Sequence, residues 1–458
     1  MSELFVPCVL TPEGWVDRAL IRWDAQGRIG AIEPNAEPGR APRAVGPVVP
    51  GLVNLHSHSF QRAMAGRAEE RTDGGGDDFW GWRETMYRLA QTLQPEDASA
   101  IARQLAVECL RRGFTGVCEF HYLHHNPDGR PYDDPAAMSK AVIDGLREAG
   151  IAVAHLPVLY ATGGFQDAPL ADRQRRFKTD PQSLLAIVET LRAAYAHDPS
   201  VRIGIAPHSV RAAPTPMIKE AVEGLRAMDG DAPIHIHVAE QVKEVEDCLA
   251  ATGSRPLALL AERVGLDPRW CAVHATHLDA AEVRLLAASG AVAGLCPATE
   301  ANLGDGLFPL SAYLAAGGRF GVGTDSHVMR DPARELALLE YGQRLVERRR
   351  LIAPRPARPS AGAALFAAAA EGGAQAAGRA CGRIEVGAEA DLVVLDGAHP
   401  DIAERTGDAI LDGWLFAAEG TPVWDVYVSG KRVISGRRHA LGVDASADYR
   451  TTLTKLFG

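Results

Sequence analysis

The chain has 458 residues, of which 47% are hydrophobic, and its formal net charge at pH 7 is −10. This balance predicts a large buried core, excludes a disordered chain, and argues against a surface for nucleic acid. Neither a membrane-spanning apolar run nor a secretory signal pattern is found, and seven scattered cysteines without a Cys-x-x-Cys pair favour a reducing, cytoplasmic compartment.

Both ends of the chain are predicted to be rich in short strands. Apolar residues separated by turn residues indicate six strands, at Leu4–Leu10, Trp15–Trp23, Ile29–Ile32, Asp391–Leu395, Val423–Val428 and Arg432–Ile434. Two β-rich pieces at opposite ends of a chain can pair with each other. We therefore expect residues 1–47 and 381–458 to form one small β-sandwich domain, with a helix at the C-terminal end.

Between these ends, apolar β-branched runs alternate with helical patterns. Eight strands are predicted, at residues 48–56, 115–122, 151–159, 201–206, 233–239, 270–275, 291–296 and 319–324. The helical patterns include Asp97–Arg112, Pro135–Ala149, Pro181–Ala196, Pro214–Ala227 and Ala280–Ser289. This α/β alternation predicts a buried parallel sheet, closed as a TIM-like (β/α)8 barrel over residues 48–380. An open doubly wound sheet is the alternative, which is weakened because no Gly-x-Gly-x-x-Gly follows the first strand.

The predicted strand ends carry residues of the kind that bind metals. His56 and His58 end the first strand and, being two residues apart, point to the same side. Alone, such a pair is better explained as two solvated histidines. However, His237 ends the fifth strand and Asp325 the eighth, and barrel chemistry gathers at the C-terminal strand ends. The four together predict an N3O site for a divalent metal, Zn²⁺ or Fe²⁺.

Acid and base candidates stand beside these ligands. Glu240 follows His237 by three residues, and His274 lies near the end of the sixth strand. Carboxyl and imidazole groups can both move protons at neutral pH. Asp325 can accept the proton of a water as well as ligate a metal. His235 lies deeper in its strand and is predicted to pack in the core.

This arrangement resembles the amidohydrolase superfamily. The resemblance lies in the His-x-His of the first strand, His237-Val-Ala-Glu240, His274, Asp325 and the terminal segment Gly387–Leu395. Five further segments are similar to the formimidoylglutamate deiminase family in particular: Asn54–Gly66, Phe79–Glu84, Glu119–His125, His208–Ala212 and Thr299–Gly306. The resemblance covers most of the chain, and no position that carries that family's chemistry departs from the pattern.

The resemblance implies a metal-dependent enzyme of histidine degradation that converts N-formimino-L-glutamate to N-formyl-L-glutamate and ammonia. Glu240 would shuttle protons, and His274 would stabilise charge or orient the attacking water. A small dicarboxylate substrate needs fixed cations, and the guanidinium fork of arginine suits a carboxylate. The resemblance assigns substrate binding to Gln61, Arg83, Tyr122, Arg211 and one of two histidines, His208 or His121.

The resemblance also bears on the number of metals. Many relatives hold two metals bridged by a carboxylated lysine at the end of the fourth strand. Here that strand ends Ile205-Ala-Pro-His-Ser209, and the third ends Leu156-Pro-Val-Leu-Tyr160, so a lysine is missing from both. We therefore expect one metal, preferably Zn²⁺ with Fe²⁺ as the alternative. Glu119 is the nearest candidate for a bridging ligand if there are two.

Other functions stay open at this point. A nucleobase or nucleoside deaminase of the same superfamily would need an aromatic stacking wall rather than Arg83 and Arg211. A metal-free barrel scaffold would have lost ligands, whereas this chain keeps every one. The superfamily suggests a homodimer, without a nucleic-acid or membrane partner. Finally, the three consecutive glycines within Ala68–Trp82 predict a mobile flap over the pocket.

Overall fold

The structure is a computed structural model and describes residues 1–69, 79–356 and 358–458. Its strands, numbered along the chain, are β1 (Ser2–Thr11), β2 (Gly14–Trp23), β3 (Ile29–Glu33), β4 (Val48–Pro50), β5 (Leu52–Ser57), β6 (Phe114–His121), β7 (Ala152–Leu159), β8 (Val201–Ile203), β9 (Ala206–Pro207), β10 (Ile234–Val238), β11 (Trp270–His274), β12 (Val292–Leu295), β13 (Arg319–Val322), β14 (Leu392–Leu395), β15 (Val423–Val428), β16 (Lys431–Ser435) and β17 (Arg438–His439).

The helices are α1 (Phe79–Ala90), α2 (Pro95–Leu110), α3 (Ala137–Glu148), α4 (Pro181–Ala194), α5 (Thr215–Met228), α6 (Val242–Thr252), α7 (Pro256–Arg263), α8 (Ala280–Ser289), α9 (Pro297–Leu303), α10 (Leu310–Ala315), α11 (Pro332–Glu347), α12 (Ala361–Ala377), α13 (Ala409–Asp412) and α14 (Gly442–Phe457). Two 3-10 helices span Ser59–Met64 and Asp172–Phe177, and a π-helical turn spans Gly413–Ala417.

The two ends of the chain meet in one eight-stranded sheet, in the order β17-β16-β15-β14-β4-β1-β2-β3. β4 joins the two halves, because it pairs parallel to β1 and antiparallel to β14. Apolar side chains from both halves, including Val6, Ile21, Leu392 and Val394, form a second core separate from the main one. The chain ends therefore build one β domain, as their shared sequence texture predicts.

Parallel strands form the middle part of the chain. β5, β6, β7 and β8 pair in order, with β9 beside β7, and β10 to β13 form a second parallel sheet. Single bridges join the two sheets on both sides, between Ile205 and Ile234 and between Ser57 and Asp325. The order of the parallel strands and these bridges agree with the predicted barrel, although no continuous ladder joins the two sheets among the described residues.

Local sequence signals set the ends of several helices. Asp180 and Asp279 accept hydrogen bonds from backbone amides in the first turns of α4 and α8, which satisfies donors that a helix leaves unpaired. Gly253 and Gly290 end α6 and α8 in the left-handed conformation that glycine adopts without strain. These short, capped connections return the chain to the barrel and place the strand ends close together.

Two predicted strands are interrupted, and those predictions were wrong in this respect. Residues 48–56 form β4 and β5 rather than one strand, because the Gly51 amide donates to the Asp391 carbonyl and a Cβ there would lie 2.2 Å from Thr115. Residues 201–206 divide into β8 and β9 around Gly204, where a Cβ would lie 2.1 Å from the Pro233 carbonyl oxygen. Both breaks come from close contacts with distant segments.

The main core fills the barrel and the layer between the barrel and its helices. Large side chains there, such as Phe114, Phe120 and Trp270, are almost completely buried. In the part of the chain that the structure describes, no helix has both the length and the apolar character needed to cross a bilayer.

Candidate active site

The four predicted metal ligands meet at the C-terminal ends of the barrel strands. His56 lies in β5, His58 directly after it, His237 in β10, and Asp325 after β13. The Nε2 atoms of His56 and His237 are 3.1 Å apart. Asp325 Oδ1 lies 3.5 Å from His56 Nε2 and 3.4 Å from His58 Nε2. The three imidazoles and the carboxylate therefore converge on one point.

These separations fit a single tetrahedral metal. Ligand atoms about 2.0–2.1 Å from a zinc ion in tetrahedral geometry lie roughly 3.3–3.4 Å from one another, close to the 3.1–3.5 Å found among His56, His237 and Asp325. His58 directs Nδ1 at the Phe120 carbonyl, 2.8 Å away. A backbone partner on one ring nitrogen leaves Nε2 for the metal, as is usual for histidine ligands.

The protonation of the ligands also suits a metal. Burial lowers the pKa of His56 to about 3 and holds the pKa values of His58 and His237 below the usual range, so these rings are neutral. Burial alone would raise the pKa of Asp325, but the hydrogen bond with His56 and the positive charge of the nearby His274 hold it below its usual range. Neutral imidazoles and an ionised carboxylate are the forms that coordinate.

A pair of acid–base side chains, His274 and Glu240, lies beside the predicted metal ligands. His274 Nε2 lies 3.8 Å from Glu240 Oε1 and 3.7 Å from Asp325 Oδ2. Burial would lower the pKa of His274, but Glu240, Glu300 and Asp325 raise it to about 10, so the ring is a cation at neutral pH. Burial raises the pKa of Glu240 above its usual value, although His274 opposes this. The pair can hold and move protons beside the metal ligands.

Sequence reasoning missed Glu300, which holds His274 from the other side. Its Oε1 lies 3.3 Å from His274 Nδ1 and accepts the Cys296 amide at 2.8 Å. The carboxylate is fixed at the start of α9 and therefore orients the imidazole. The only sequence signal is that Glu300 lies within the family-like segment Thr299–Gly306, because nothing in its own spacing singles it out.

The backbone is strained where the strands end at the site. Ala239, His274, Ala275 and Asp325 have φ angles of 52°, 66°, 51° and 45°, a region that non-glycine residues rarely adopt. Hydrogen bonds from other strands hold these turns, including one from the Asp325 amide to the His56 carbonyl at 2.9 Å. Such strain persists only where the surroundings impose it and is typical of active sites.

A pocket opens directly above the candidate ligands. Its lining residues are His58, Gln61, Trp82, Arg83, Met86, Tyr87, Tyr122, Tyr160, Phe177, His208, Arg211, His237, Glu240, His274, Leu303 and Asp325. The lining includes the residues predicted to bind substrate, with His208 rather than His121 as the histidine: Gln61, Arg83, Tyr122, His208 and Arg211. Gln61 donates from Nε2 to the Tyr122 hydroxyl at 2.7 Å, and its buried Oε1 has no partner among the described residues, so that it can accept a hydrogen bond from a ligand.

The two predicted arginines lie on different walls of this pocket. Arg83, in α1, lies over the Tyr87 ring with its guanidinium carbon 5.2 Å from the centroid, and its Nη2 is 3.4 Å from the Tyr160 hydroxyl. Arg211, in the loop between β9 and α5, is half-buried. His208 stands between the metal ligands and an aromatic wall of the pocket that includes Tyr87 and Tyr160. Its ring centroid lies 4.9 Å from that of His237 and 4.7 Å from that of Tyr160.

The aromatic wall is organised by a residue that the sequence did not reveal. Gln174, in the 3-10 helix before α4, donates from Nε2 to the hydroxyls of Tyr160 at 2.8 Å and Tyr87 at 3.3 Å. These three residues come from three separate segments of the chain. No local spacing predicts such a contact, since it depends on how the loops fold over the barrel.

Other residues considered from the sequence are engaged away from the ligands. Glu119 accepts from the Ser57 hydroxyl at 2.5 Å and from the Ser59 amide at 2.8 Å, and it belongs to none of the possible metal-ligand groups among the described residues. His121 bonds to the Leu123 carbonyl at 2.8 Å and does not line the pocket. His235 bonds to the Ala376 carbonyl at 2.8 Å within the core.

The predicted flap can be described only in part. Of the segment Ala68–Trp82, residues 70–78 lie outside the described residues. Trp82 is described and lines the pocket. The flap therefore stays a prediction.

Sequence comparisons identify known proteins that are similar to this chain. A profile described as "Amidohydrolase family" matches residues 48–433. Formimidoylglutamate deiminase of Pseudomonas aeruginosa is 48% identical over 98% of this chain and 97% of its own length. 5-methylthioadenosine/S-adenosylhomocysteine deaminase of Natronomonas pharaonis is 31% identical over 94% of this chain and 91% of its own. These similarities span the terminal sheet as well as the barrel.

Solved structures agree with the fold described above. An amidohydrolase from Brucella melitensis superposes with a TM-score of 0.95 at 41% identity, covering 100% of both chains. An adenosine deaminase from Xanthomonas campestris, with bound zinc, has a TM-score of 0.81 at 23% identity and covers 99% of this chain and 98% of its own. The predicted barrel with a terminal β domain is confirmed by these likenesses.

Proposed function

The chain belongs to the amidohydrolase family, and on that premise we propose that it is a metal-dependent formimidoylglutamate deiminase of histidine degradation. It would hydrolyse N-formimino-L-glutamate to N-formyl-L-glutamate and ammonia. One observation carries the proposal: a single pocket joins the cluster of three histidines and an aspartate to two arginines. The 48% identity to a relative named for this activity supports it.

The metal site would hold one divalent ion, Zn²⁺ by preference and Fe²⁺ as the alternative. The four residues that converge on it are His56, His58, His237 and Asp325. A bound ion would act as a Lewis acid and lower the pKa of a water molecule towards about 7. The zinc named with the Xanthomonas campestris relative supports that choice, while the donor set alone would also accept Fe²⁺.

Glu240 is placed to shuttle protons. It borders the pocket beside His274, and burial raises its pKa above the usual value, so its carboxyl takes up a proton more readily than an exposed glutamate does. It would take one proton from water as the C–O bond forms at the formimino carbon. It would then give that proton to the nitrogen that leaves as ammonia.

His274 and Asp325 would complete the transfer. The His274 cation can stabilise the negative charge that develops on the attacking oxygen. Asp325 Oδ2 faces that ring at 3.7 Å and can accept the second proton as the C=O bond of the formyl product forms. It would then pass this proton to the leaving nitrogen as the C–N bond breaks. The leaving nitrogen receives both protons of the water, so ammonia departs neutral and the atoms balance.

The two carboxylates of the substrate would bind to the two arginines of the pocket. Arg83 and Arg211 supply the fixed positive charge, and guanidinium groups bind carboxylates through paired hydrogen bonds. Gln61, Tyr122 and His208 line the same pocket and would add hydrogen bonds. The partner molecule is thus a small dicarboxylate.

A nucleoside deaminase is the second candidate, and two observations favour it. The Natronomonas pharaonis relative carries that activity in its name, and five aromatic residues, Trp82, Tyr87, Tyr122, Tyr160 and Phe177, line the pocket. A neutral base, however, would offer no carboxylate to the two arginines of the pocket, while it would displace water from their charges. Such desolvation without compensation is costly, and so the dicarboxylate is the better fit.

Ammonia release from the purified, metal-loaded protein tests these alternatives. We expect release from N-formimino-L-glutamate, loss of it after treatment with a chelator, and recovery when Zn²⁺ is restored. Adenosine and 5-methylthioadenosine serve as uncharged comparison substrates. Release from these but not from formiminoglutamate would establish the second candidate instead. No release from any of them by metal-loaded protein would point to an inactive scaffold.

Compartment and assembly are part of the same proposal. All seven cysteines are free thiols and six are buried, which suits a reducing cytoplasm. We propose a homodimer, as the superfamily suggests. Sedimentation equilibrium of the full chain tests this, because a mass close to the 48.8 kDa of one chain at micromolar concentration would contradict it.

A further inference from the structure

The direction of the Gln174 side-chain amide is settled by its surroundings. Gln174 is buried, and its Oε1 accepts the backbone N–H of Ala171 at 2.9 Å. An N–H can only donate, so the oxygen must face Ala171 and the NH₂ group must face the tyrosines. The amide therefore donates to the hydroxyls of both Tyr160 and Tyr87.

The hydroxyl oxygen of Tyr160 therefore accepts two hydrogen bonds. It receives Gln174 Nε2 at 2.8 Å and Arg83 Nη2 at 3.4 Å. A phenol oxygen has one hydrogen of its own to donate besides these. No described residue accepts that hydrogen. Tyr160 is almost fully buried, yet it lines the active-site pocket, so the remaining direction for its O–H is the pocket.

We propose that Tyr160 is a substrate-binding residue which donates its phenolic hydrogen to the carboxylate that Arg83 binds, and that Gln174 is the positioning residue that imposes this direction. The inference rests on the proposed function, since it adds a residue to the carboxylate site. Arg83 Nη2 and the Tyr160 oxygen are 3.4 Å apart, close enough for one carboxylate to accept from both. A buried hydroxyl without an acceptor is costly, which favours substrates that supply one.

Tyr87 is held as a phenol in the same arrangement. It takes the second amide hydrogen of Gln174 at 3.3 Å, and burial raises its pKa to about 12. Its ring lies under the Arg83 guanidinium. Gln174 thereby fixes both the hydroxyl beside Arg83 and the ring beneath it.

Replacing Gln174 with glutamate reverses the hydrogen bond without changing the shape of the side chain. One carboxylate oxygen would still accept the Ala171 N–H, while the other would accept the hydrogen of Tyr160 and draw it away from the pocket. Substrate would then lose a donor, although the hydroxyl itself is still there. A role for Gln174 in packing alone predicts no such loss.

The test compares Tyr160→Phe, Gln174→Glu and the double variant on N-formimino-L-glutamate. We expect each single variant to raise KM roughly 10- to 100-fold, as for loss of a hydrogen bond to a charged group, with a smaller change in kcat. The double variant should be little worse than Tyr160→Phe, because both changes remove the same donor. Tyr195→Phe is the matched control, since that hydroxyl donates to Asp144 outside the pocket and its loss should leave KM unchanged.

Binding of the product N-formyl-L-glutamate, followed by calorimetry, should weaken in Tyr160→Phe, in Gln174→Glu and, to about the same extent, in the double variant. A KM and an affinity within twofold of the parent chain for Tyr160→Phe would overturn the role of Tyr160. Additive losses in the double variant would overturn the role of Gln174 as its positioning residue. Failure of the proposed function is a separate result, seen as the absence of ammonia release by the unaltered enzyme.

Discussion

At the scale of single residues, their different surroundings divide the acid–base roles between His274 and Glu240. His274 lies among Glu240, Glu300 and Asp325, and these negative charges raise its pKa to about 10 in spite of burial. Glu240 faces the pocket, and burial raises its pKa above the usual value. One group is therefore a fixed cation and the other a carboxyl that can change its protonation. A proton shuttle requires the second property.

Glu240→Gln tests this division. The amide keeps the shape and polarity of the side chain but cannot take a proton, so we expect kcat for ammonia release to fall by about 10²–10⁴-fold. The bound metal, measured by elemental analysis, should be unchanged, because Glu240 is not one of the four proposed ligands. Glu246→Gln, at an exposed position of α6, should keep full activity. Retained kcat in Glu240→Gln would contradict the shuttle role.

Arg211→Gln tests how the substrate is recognised. Removing a guanidinium that binds a carboxylate should raise KM for N-formimino-L-glutamate roughly 10- to 100-fold. The exposed Arg226 pairs with Asp267 at 3.6 Å, so Arg226→Gln is a control for the loss of one positive charge. An unchanged KM in Arg211→Gln would contradict the binding of a substrate carboxylate by Arg211.

Sequence patterns could identify residues at strand ends but not residues that act across segments. His56, His58, His237 and Asp325 can be picked out because each follows an apolar strand, and the structure brings them together, although their metal role stays a prediction. Glu300 and Gln174 act through contacts with side chains from other parts of the chain. Neither lies in a position that periodicity marks, and so only the folded arrangement reveals them.

At the scale of elements, the strands and helices were predicted more closely than the breaks within them. The prediction for residues 280–289 coincides with α8, and Val423–Val428 coincides with β15. Hydrophobic periodicity carries that information. The breaks at Gly51 and Gly204 depend on contacts with Thr115 and Pro233, which no local pattern contains.

The cap of α8 gives a prediction at this scale. Asp279 accepts the amides of Ala281 and Glu282 at 2.8 and 2.9 Å, and α8 connects the strand of His274 to the next one. Asp279→Ala should lower the free energy of unfolding by about 1 kcal/mol, measured by urea denaturation, with kcat preserved. Asp247→Ala, at an exposed ion pair of α6, is the control and should change stability by less than about 0.5 kcal/mol. Equal losses in both variants would contradict the capping role.

At the scale of the whole molecule, one ionic cluster joins the active-site layer to the last helix. Arg62, just after the candidate ligands, bonds to Glu108 of α2 through Nε at 2.7 Å and Nη2 at 3.0 Å. Arg330, from the loop after β13, lies 2.9 Å from the same carboxylate. Tyr449 of α14 donates to the Arg62 carbonyl at 3.1 Å. The cluster thus ties the barrel to the C-terminal part of the chain.

The protonation of Glu108 makes stability depend on pH. Burial alone would raise the pKa of Glu108, but the hydrogen bonds and charge of Arg62, with the charge of Arg330, hold it below the usual value. In the unfolded chain, Glu108 therefore binds its proton at a higher pH, with an ordinary pKa of about 4.3. The contribution of the cluster is complete above that pH and is lost as the pH falls through the lower folded-state pKa.

Glu108→Gln removes the charge at every pH, and its comparison with the parent chain isolates this effect. We expect the variant to be less stable at pH 7, as judged by urea denaturation followed by tryptophan fluorescence. The difference should hold down to about pH 5 and then shrink as the parent chain's own Glu108 becomes protonated. Glu246→Gln, the exposed control on α6, should show no difference at any pH. A gap between Glu108→Gln and the parent chain that stays constant from pH 7 to pH 3.5 would mean that the cluster contributes by packing rather than by charge.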